Sequence, residues 1–332
     1  MLNNEKALIV TAMKNEGPYV LEWFAHYLSV GFDSFLVFTN DCDDLTDRML
    51  DRLATVVEVK HQPNPKSLFA DKGNWQVMAL RYATLFNLYR DAGWIFHVDA
   101  DEFLQIKTGL GTLDDFGAAV GAFDVVSFTS MPYNSNGVLR LKPDFVSDQF
   151  TQYSKFYSDL RQNGQSELNA IKTMFRNQIE FRLRRNHRPL LDGFSKTGYA
   201  WVDGSGNRLD QDFVDGEQKT ISPFNSTRFA EFGHYAIKSA ESFLLKVDRG
   251  DVAGDPRLDR SRKYWASYNT PGDPMPAFAH KSSRFGEIYA ALLGDPVLAE
   301  MHAASFDIHQ RKVARILATA SGQEKAVWLG LT

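Results

Sequence analysis

The chain has 332 residues, 44% of them hydrophobic and 13% aromatic, enough for a sizeable core in one large domain, with or without an appendage. A net charge of −4 and a pI near 6.1 exclude a global basic field for nucleic acid. The single cysteine, Cys42, excludes an internal disulfide framework and suits a reducing compartment. Met1 to Glu5 has neither a basic nor an apolar leader region, and no stretch approaches about 18 uncharged apolar residues. These features predict a soluble, cytoplasmic protein.

Ala7 to Ala12 is a short apolar run that predicts a first buried strand. It ends in Met13-Lys14-Asn15-Glu16-Gly17, and a helix is predicted from Pro18 to Val30, with proline in its first turn and Gly31 just beyond its end. A second strand, Ser34 to Thr39, ends in Asn40-Asp41-Cys42-Asp43-Asp44. A helix over Thr46 to Leu53 leads to a third strand, Thr55 to Lys60, and Asn74 to Arg90 reads as one long amphipathic helix. Trp94-Ile95-Phe96-His97-Val98 then runs straight into Asp99-Ala100-Asp101-Glu102, a strand buried on both faces that ends in acids. This alternation predicts an open, doubly wound, mostly parallel α/β sheet.

Beyond Leu104 the alternation weakens. Leu113 to Val120 reads as helix, Asp124 to Thr129 as strand and Met131 to Gly137 as loop, while Thr173 to Arg185 is mixed with a basic end. Asp203-Gly204 is a hairpin-turn pair within Trp201 to Arg208. Glu231 to Ile237 leads into a helix from Ser239 to Arg249, closed by Gly250. Two helices, Arg284 to Leu293 and Asp295 to Thr319, form the tail, the second interrupted near Ser305-Phe306.

In open α/β sheets ligands bind beyond the carboxyl ends of the strands. Three such ends carry polar groups: Lys14-Asn15-Glu16, Asn40-Asp41 and Asp99-Ala100-Asp101. Crowded carboxylates repel unless a cation holds them, and hard oxygen ligands suit Mg²⁺ or Mn²⁺. The set predicts a metal-assisted site for a nucleoside diphosphate. Against it stands the plain preference of turns and helix caps for Asp. The first βα turn lacks Gly-x-Gly-x-x-Gly, and no Gly-x-x-x-x-Gly-Lys-Ser/Thr occurs, which argues against a dinucleotide Rossmann enzyme and a P-loop.

Four ordered motifs carry a family resemblance. They are Ala12 to Trp23, Gly31-Phe32-Asp33 before Asn40-Asp41, Trp94 to Phe103, and His234-Tyr235-Ala236-Ile237-Lys238-Ser239 with Phe243, Lys246 and Arg249-Gly250. Together they resemble the family 2-like and family 92 glycosyltransferases of GT-A fold, over residues 6 to 105 and 230 to 250 well and the middle weakly. The resemblance implies transfer of a sugar from a nucleotide-sugar donor to an acceptor hydroxyl, usually with inversion and a divalent cation, Mn²⁺ or Mg²⁺. It implies a domain over 1–280, with a nucleotide half at 1–105 and an acceptor half at 106–280, followed by a helical extension over 281–332.

Carried onto this sequence, it implies a metal set of Asp99, Asp101 and His234. Donor contacts fall to Ala12, Lys14, Asn15, Glu16, Asn40, Asp41, Gln76, Asp99 and Lys238, with Lys238 near the diphosphate. For Lys72 a solvated helix face is the simpler role. Without the motif, His234 reads as a satisfied core histidine. His97 reads as structural, and His187 equally as an acceptor contact or a loop histidine. Inversion needs a base for the acceptor proton; Asp192, Asp212, Asp215 and Glu217 are candidates, with Asp192 favoured for its place after a strand-like stretch and His187.

Arg182, Arg184, Arg185 and Arg188 suit an anionic acceptor, a membrane surface or simply a solvated face. His309 to Leu317 is a basic amphipathic helix that suits peripheral association with anionic lipid or packing on the domain. The acceptor expected is a glycan, free or lipid-linked, in bacterial surface or secreted glycan synthesis. Two other readings are a haloacid-dehalogenase-like phosphatase and a non-catalytic nucleotide-sugar binder. The first expects Asp-x-Asp on the first strand and Thr or Val where Phe103 stands.

Overall fold

The computed structural model describes residues 5–68, 75–154, 168–191, 198–250, 258–274 and 282–332. Strand β1 (Ala7–Met13), helix α1 (Gly17–Val30), β2 (Ser34–Thr39), α2 (Thr46–Leu53) and β3 (Glu58–Pro63) open the chain. The third strand starts three residues later than its composition suggests, because the chain from Ala54 to Val57 is still turning off the end of α2. Helices α3 (Trp75–Ala83) and α4 (Asn87–Arg90) replace the single long helix expected there. The break falls at Phe86, whose backbone is extended and which packs edge-on against Phe38 of β2.

Strand β4 (Trp94–His97) is followed closely by β5 (Glu102–Ile106), then α5 (Leu113–Val120), β6 (Val125–Pro132), α6 (Val146–Gln149) and β7 (Gln152–Ser154). Next come β8 (Asn169–Arg176), β9 (Phe181–Leu183), β10 (Leu190–Leu191), β11 (Trp201–Asp203), α7 (Gln211–Asp215), β12 (Thr220–Ile221) and β13 (Ala230–His234). Helices α8 (Ala240–Asp248) and α9 (Leu258–Tyr268), strand β14 (Pro271–Pro274), and helices α10 (Ser283–Leu293), α11 (Pro296–Leu317) and α12 (Ala320–Leu329) complete the chain.

The main sheet runs β3-β2-β1-β4-β8-β6-β13-β5, with β11 on β6 and β12 on β8. Strands β3, β2, β1 and β4 are mutually parallel, whereas β8 is antiparallel to both β4 and β6 and β5 is antiparallel to β13. The expected Asp203-Gly204 turn is present: Val202 bridges Arg208, although β11 itself pairs in parallel with β6.

Strand β1 shows why the parallel half forms. Its odd positions, Ala7 and Ile9, enter one core and its even positions, Leu8 and Val10, the other, so an uninterrupted apolar run is needed. Helix α1 supplies Tyr19 to Val30 to the first core, and α3 supplies Ala79, Leu80 and Ala83 to the second. Gly17 opens α1 where α11 crosses it; a Cβ there would stand 2.8 Å from the Asp44 carbonyl and from Ser305 Cβ. Helix α11 is continuous through Ser305 and Phe306, both buried, with the Ser305 hydroxyl bonded back to the His302 carbonyl (2.7 Å) rather than breaking the helix.

A third apolar cluster joins α8, α9, α11 and α12 through Phe243, Leu244, Trp265, Val313, Ile316 and Leu329. The apolar side of the basic amphipathic segment in α11 is thus turned into the protein. Among the described residues no helix is long and apolar enough to cross a membrane.

Candidate active site

The carboxyl ends of β1 and β4 meet the end of β13 and the carboxyl-terminal half of α8 around a cleft of about 440 Å³. Ala12, Lys14, Glu16, Gln76, Asp99, Asp101 and His234 line it, with Lys172, His187, Lys246, Arg249 and Tyr268. A smaller cavity of about 200 Å³ adjoins it, and Lys14, Glu16, Lys246 and Arg249 face both. Asn15, Asp41 and Lys238 line the smaller one with Lys312 and Arg315 of α11. Asn40 lines neither cavity; its amide donates to Asp41 (3.2 Å). Asn15, Asp41 and Lys238 all have positive φ, at 55°, 48° and 52°. Backbone strain of this kind gathers where a chain must aim side chains into a site.

Asp101 anchors the cleft. Its Oδ2 accepts from Lys246 Nζ at 2.9 Å, and its Oδ1 lies 3.8 Å from His234 Nε2. Burial alone would raise this carboxyl, but Lys246, His234 and Lys238 hold it far below the usual carboxylate range. Burial keeps the His234 ring at about 4, so it is a neutral ligand at pH 7, and the Tyr268 hydroxyl lies 3.4 Å from its Nδ1. Lys246 is fixed further by the Ala236 carbonyl at 2.8 Å.

Asp99 faces a different partner. Lys172 Nζ, 1% exposed in the middle of β8, lies 2.9 Å from Asp99 Oδ2, 2.8 Å from Glu102 Oε2 and 2.8 Å from Asn186 Oδ1. The Gln76 amide donates to the other Asp99 oxygen. Burial beside Asp99 pushes the Glu102 carboxyl up to about 8, against the pull of Lys172. Glu16, expected to face a nucleoside directly, is 7% exposed and paired with Arg249 (2.7 Å) and Lys238 (3.6 Å). The Arg249 guanidinium also donates to the Lys14 and Asn15 carbonyls, tying α8 to the first βα turn.

The three-ligand set expected from the sequence is not gathered. Among the described residues no cluster of three or more His, Cys, Asp or Glu groups converges, because Lys172 and Gln76 hold Asp99. Asp101 and His234 do converge, one carboxylate oxygen and one neutral imidazole nitrogen. That pair suits a hard cation whose remaining ligands are phosphate oxygens and water, as Mg²⁺ sites with one or two protein ligands are built.

The other predicted positions fall as follows. Asp192 and Lys72 lie outside the described residues, as does the Arg182 side chain. Asp212 and Asp215 lie on α7 and line neither cavity, and Glu217 pairs with Arg185 (2.9 Å). His97 is buried against Phe175, as a structural residue would be. The basic cluster does not form one face: Arg184 bonds the Tyr89 hydroxyl (3.0 Å), and Arg188, 1% exposed, lies over Trp201 and Phe213 and donates to the Phe213 and Val214 carbonyls.

Sequence reasoning missed Lys172 and Asn186 as site residues and left Lys246 and Arg249 as motif letters without a role. The signal for Lys172 was present: a lysine inside Ala-Ile-Lys-Thr-Met-Phe, a strand-like run, is almost never buried without charged partners.

Among solved structures, the chain is similar to S. aureus TarS residues 1–349, at 13% identity and a TM-score of 0.33, covering 92% of this chain and 89% of that one. The longer TarS structure is matched at 12% identity and a TM-score of 0.33 over 79% of this chain, which spans 42% of TarS. Glucosyl-3-phosphoglycerate synthase from Mycobacterium tuberculosis, in complex with Mn²⁺, UDP and glucosyl-3-phosphoglycerate, is matched at 13% identity and a TM-score of 0.27, over 55% of this chain and 61% of that one. No curated protein matches the sequence. The family model of glycosyltransferase family 92 matches residues 13–181, just over half of the 332 residues, from the first βα turn through Asp99, Asp101 and Lys172. The chain belongs to glycosyltransferase family 92, and its doubly wound sheet is of the GT-A type.

Proposed function

We propose that the protein transfers a sugar from a nucleoside-diphosphate donor to an acceptor hydroxyl, with inversion and with the help of Mn²⁺ or Mg²⁺. The observation that carries this reading is the pairing of Asp101 and His234 beside three cations, the buried Lys238 and the partly exposed Lys246 and Arg249, at the carboxyl ends of the parallel strands. Ala12, Lys14, Asn15, Asp41, Gln76 and Asp99 line the space this reading gives to nucleoside and ribose, with Asn40 next to Asp41. Lys172 keeps the Asp99 carboxylate turned toward Gln76, where it can accept from a ribose hydroxyl. Glu16 acts one step back, holding Arg249 and Lys238 in place.

Asp101 and His234 would hold the cation, which when bound neutralises charge on the departing diphosphate. The chain's own ammonium and guanidinium groups supply the rest of that stabilisation from fixed positions. The acceptor belongs to the class of glycans, free or lipid-linked, of a bacterial surface or secreted polysaccharide. A phosphatase of the Asp-x-Asp type is disfavoured, because Asp99 is bound by Lys172 and Gln76 and follows the fourth strand of the chain rather than the first.

The test is nucleotide release from a panel of UDP-, GDP- and dTDP-sugars, with Mn²⁺ and with chelator. The reading predicts release from one nucleotide class, dependent on the cation and lost in Asp101→Ala. A protein that binds a sugar nucleotide without ever cleaving it is the non-catalytic binder instead.

A further inference from the structure

His187 stands between two immobilised neighbours. Asn186 is held by Lys172 (2.8 Å), with its amide 3.4 Å from Asp99 Oδ2. Arg188 is locked by the carbonyls of Phe213 (2.7 Å) and Val214 (3.0 Å). The His187 ring lies 3.1 Å through Nδ1 from the Ile171 carbonyl, the residue before Lys172. A carbonyl only accepts, so Nδ1 carries the proton and Nε2 keeps its lone pair. The ring lines the same cleft as Asp99, Asp101 and His234.

The four described carboxylates of that cleft are occupied by cations: Glu16 by Arg249 and Lys238, Asp99 and Glu102 by Lys172, Asp101 by Lys246. His234 Nε2 faces Asp101. The cleft thus has acids committed to ion pairs and one imidazole whose tautomer is set by the backbone.

We propose that His187, through Nε2, is the general base that accepts the proton of the acceptor hydroxyl; this rests on the donor-site reading above. As the acceptor oxygen forms its bond to the anomeric carbon, its proton passes to Nε2. The bond from that carbon to the diphosphate oxygen breaks, and its electron pair leaves with the nucleoside diphosphate. The imidazolium then returns the proton to water. The charged groups facing the ring are Lys172 of β8, Asp99 beyond β4 and Lys219 beside β12. Burial and the two lysines keep the ring below its ordinary value, against Asp99, so it is neutral and able to act as a base at pH 7.

The test uses the full chain and release of nucleotide from the sugar nucleotide it cleaves, with UDP-glucose first. His187→Asn keeps an amide N–H for the Ile171 carbonyl but has no basic nitrogen, and His187→Ala opens the position. Both are expected to lose about 10²- to 10⁴-fold in turnover, while the thermal shift given by the nucleoside diphosphate is unchanged. Sodium azide, a nucleophile with no proton to give up, is expected to restore nucleotide release to His187→Ala.

A His187→Asn enzyme within threefold of wild type would overturn the proposal. So would loss of nucleotide binding along with turnover, or an azide-rescued loss of turnover in Asp192→Asn with His187→Asn active. Nitrogen NMR of the ring needs no substrate: an Nε2-protonated or cationic His187 at pH 7 would also overturn it. A wild-type chain that cleaves no sugar nucleotide would instead sink the donor reading, and the base with it.

Discussion

His309 Nε2 lies 2.7 Å from Asp44 Oδ2, joining helix α11 to the loop after β2 across 265 positions of sequence, with both side chains buried. The same carboxylate accepts from the Gly17 N–H (2.9 Å), and its other oxygen takes the Thr46 hydroxyl (2.6 Å). One buried acid thus ties together the first βα turn, the second βα turn and the C-terminal helices. Lys312 reinforces the tie by pairing with Asp43.

Removing the histidine strands a buried acid, so His309→Ala is expected to cost about 2–3 kcal/mol in urea unfolding. His309→Gln, which keeps a donor, should cost less. Burial pushes Asp44 up, but the hydrogen bond and electrostatic pull of His309, with Thr46 and the Gly17 amide, bring it down to about 2 from an ordinary 3.8. A carboxyl lowered on folding stabilises fully above its unfolded value and loses that contribution as pH falls through its folded one. The stability of the wild type should therefore drop between pH 4 and pH 2 more steeply than that of His309→Ala. Equal slopes would contradict the assignment.

Lys172 is the cation on which Asp99 and Glu102 both depend. Lys172→Met leaves two acids together in a buried place and is expected to destabilise by about 3–5 kcal/mol. Glu102, already held up to about 8 beside Asp99, stays protonated at pH 7 in that background, so adding Glu102→Gln should change stability little there and recover part of the loss only at alkaline pH, where the second charge forms. A double variant clearly more stable than Lys172→Met at pH 7 would contradict this.

Arg188 separates packing from charge. Its guanidinium carbon lies 4.3 Å from the Trp201 ring centre and 4.6 Å from that of Phe213 while the group donates to the carbonyls of Pro189, Phe213, Val214 and Gln218. Lysine reproduces the charge but not the planar fork. Arg188→Lys and Arg188→Ala are both expected to lower stability by about 2–4 kcal/mol, measured by chemical unfolding. Near-wild-type stability of Arg188→Lys would mean that charge alone matters there.

The parallel half of the sheet was readable because strands buried on both faces need apolar runs such as Ala-Leu-Ile-Val and Ser-Phe-Leu-Val-Phe, and helices announce themselves by Pro18 and Gly31. The mixed half was not. Strands β5, β8 and β13 carry charges such as Glu102, Lys172 and Glu231 and find partners far away in sequence. The acids of the site were visible because they end an apolar strand. Their cations were not, since Lys172 arrives from β8, and Lys246 and Arg249 from the end of α8, by tertiary folding. Helix α12 has little apolar periodicity and was not foreseen, although the Thr319 hydroxyl caps it through the Gly322 N–H (3.0 Å).

The most direct test of the central claim is thermal unfolding against a panel of nucleoside diphosphates and their sugars, with and without Mn²⁺, in wild type and Asp101→Ala. A ligand at 100 times its dissociation constant adds about 2.7 kcal/mol of stability. The account predicts a shift with one nucleotide class that needs Mn²⁺ in the wild type and is lost in Asp101→Ala. No shift with any nucleotide would leave the fold as described and contradict the donor site built around Asp101 and His234.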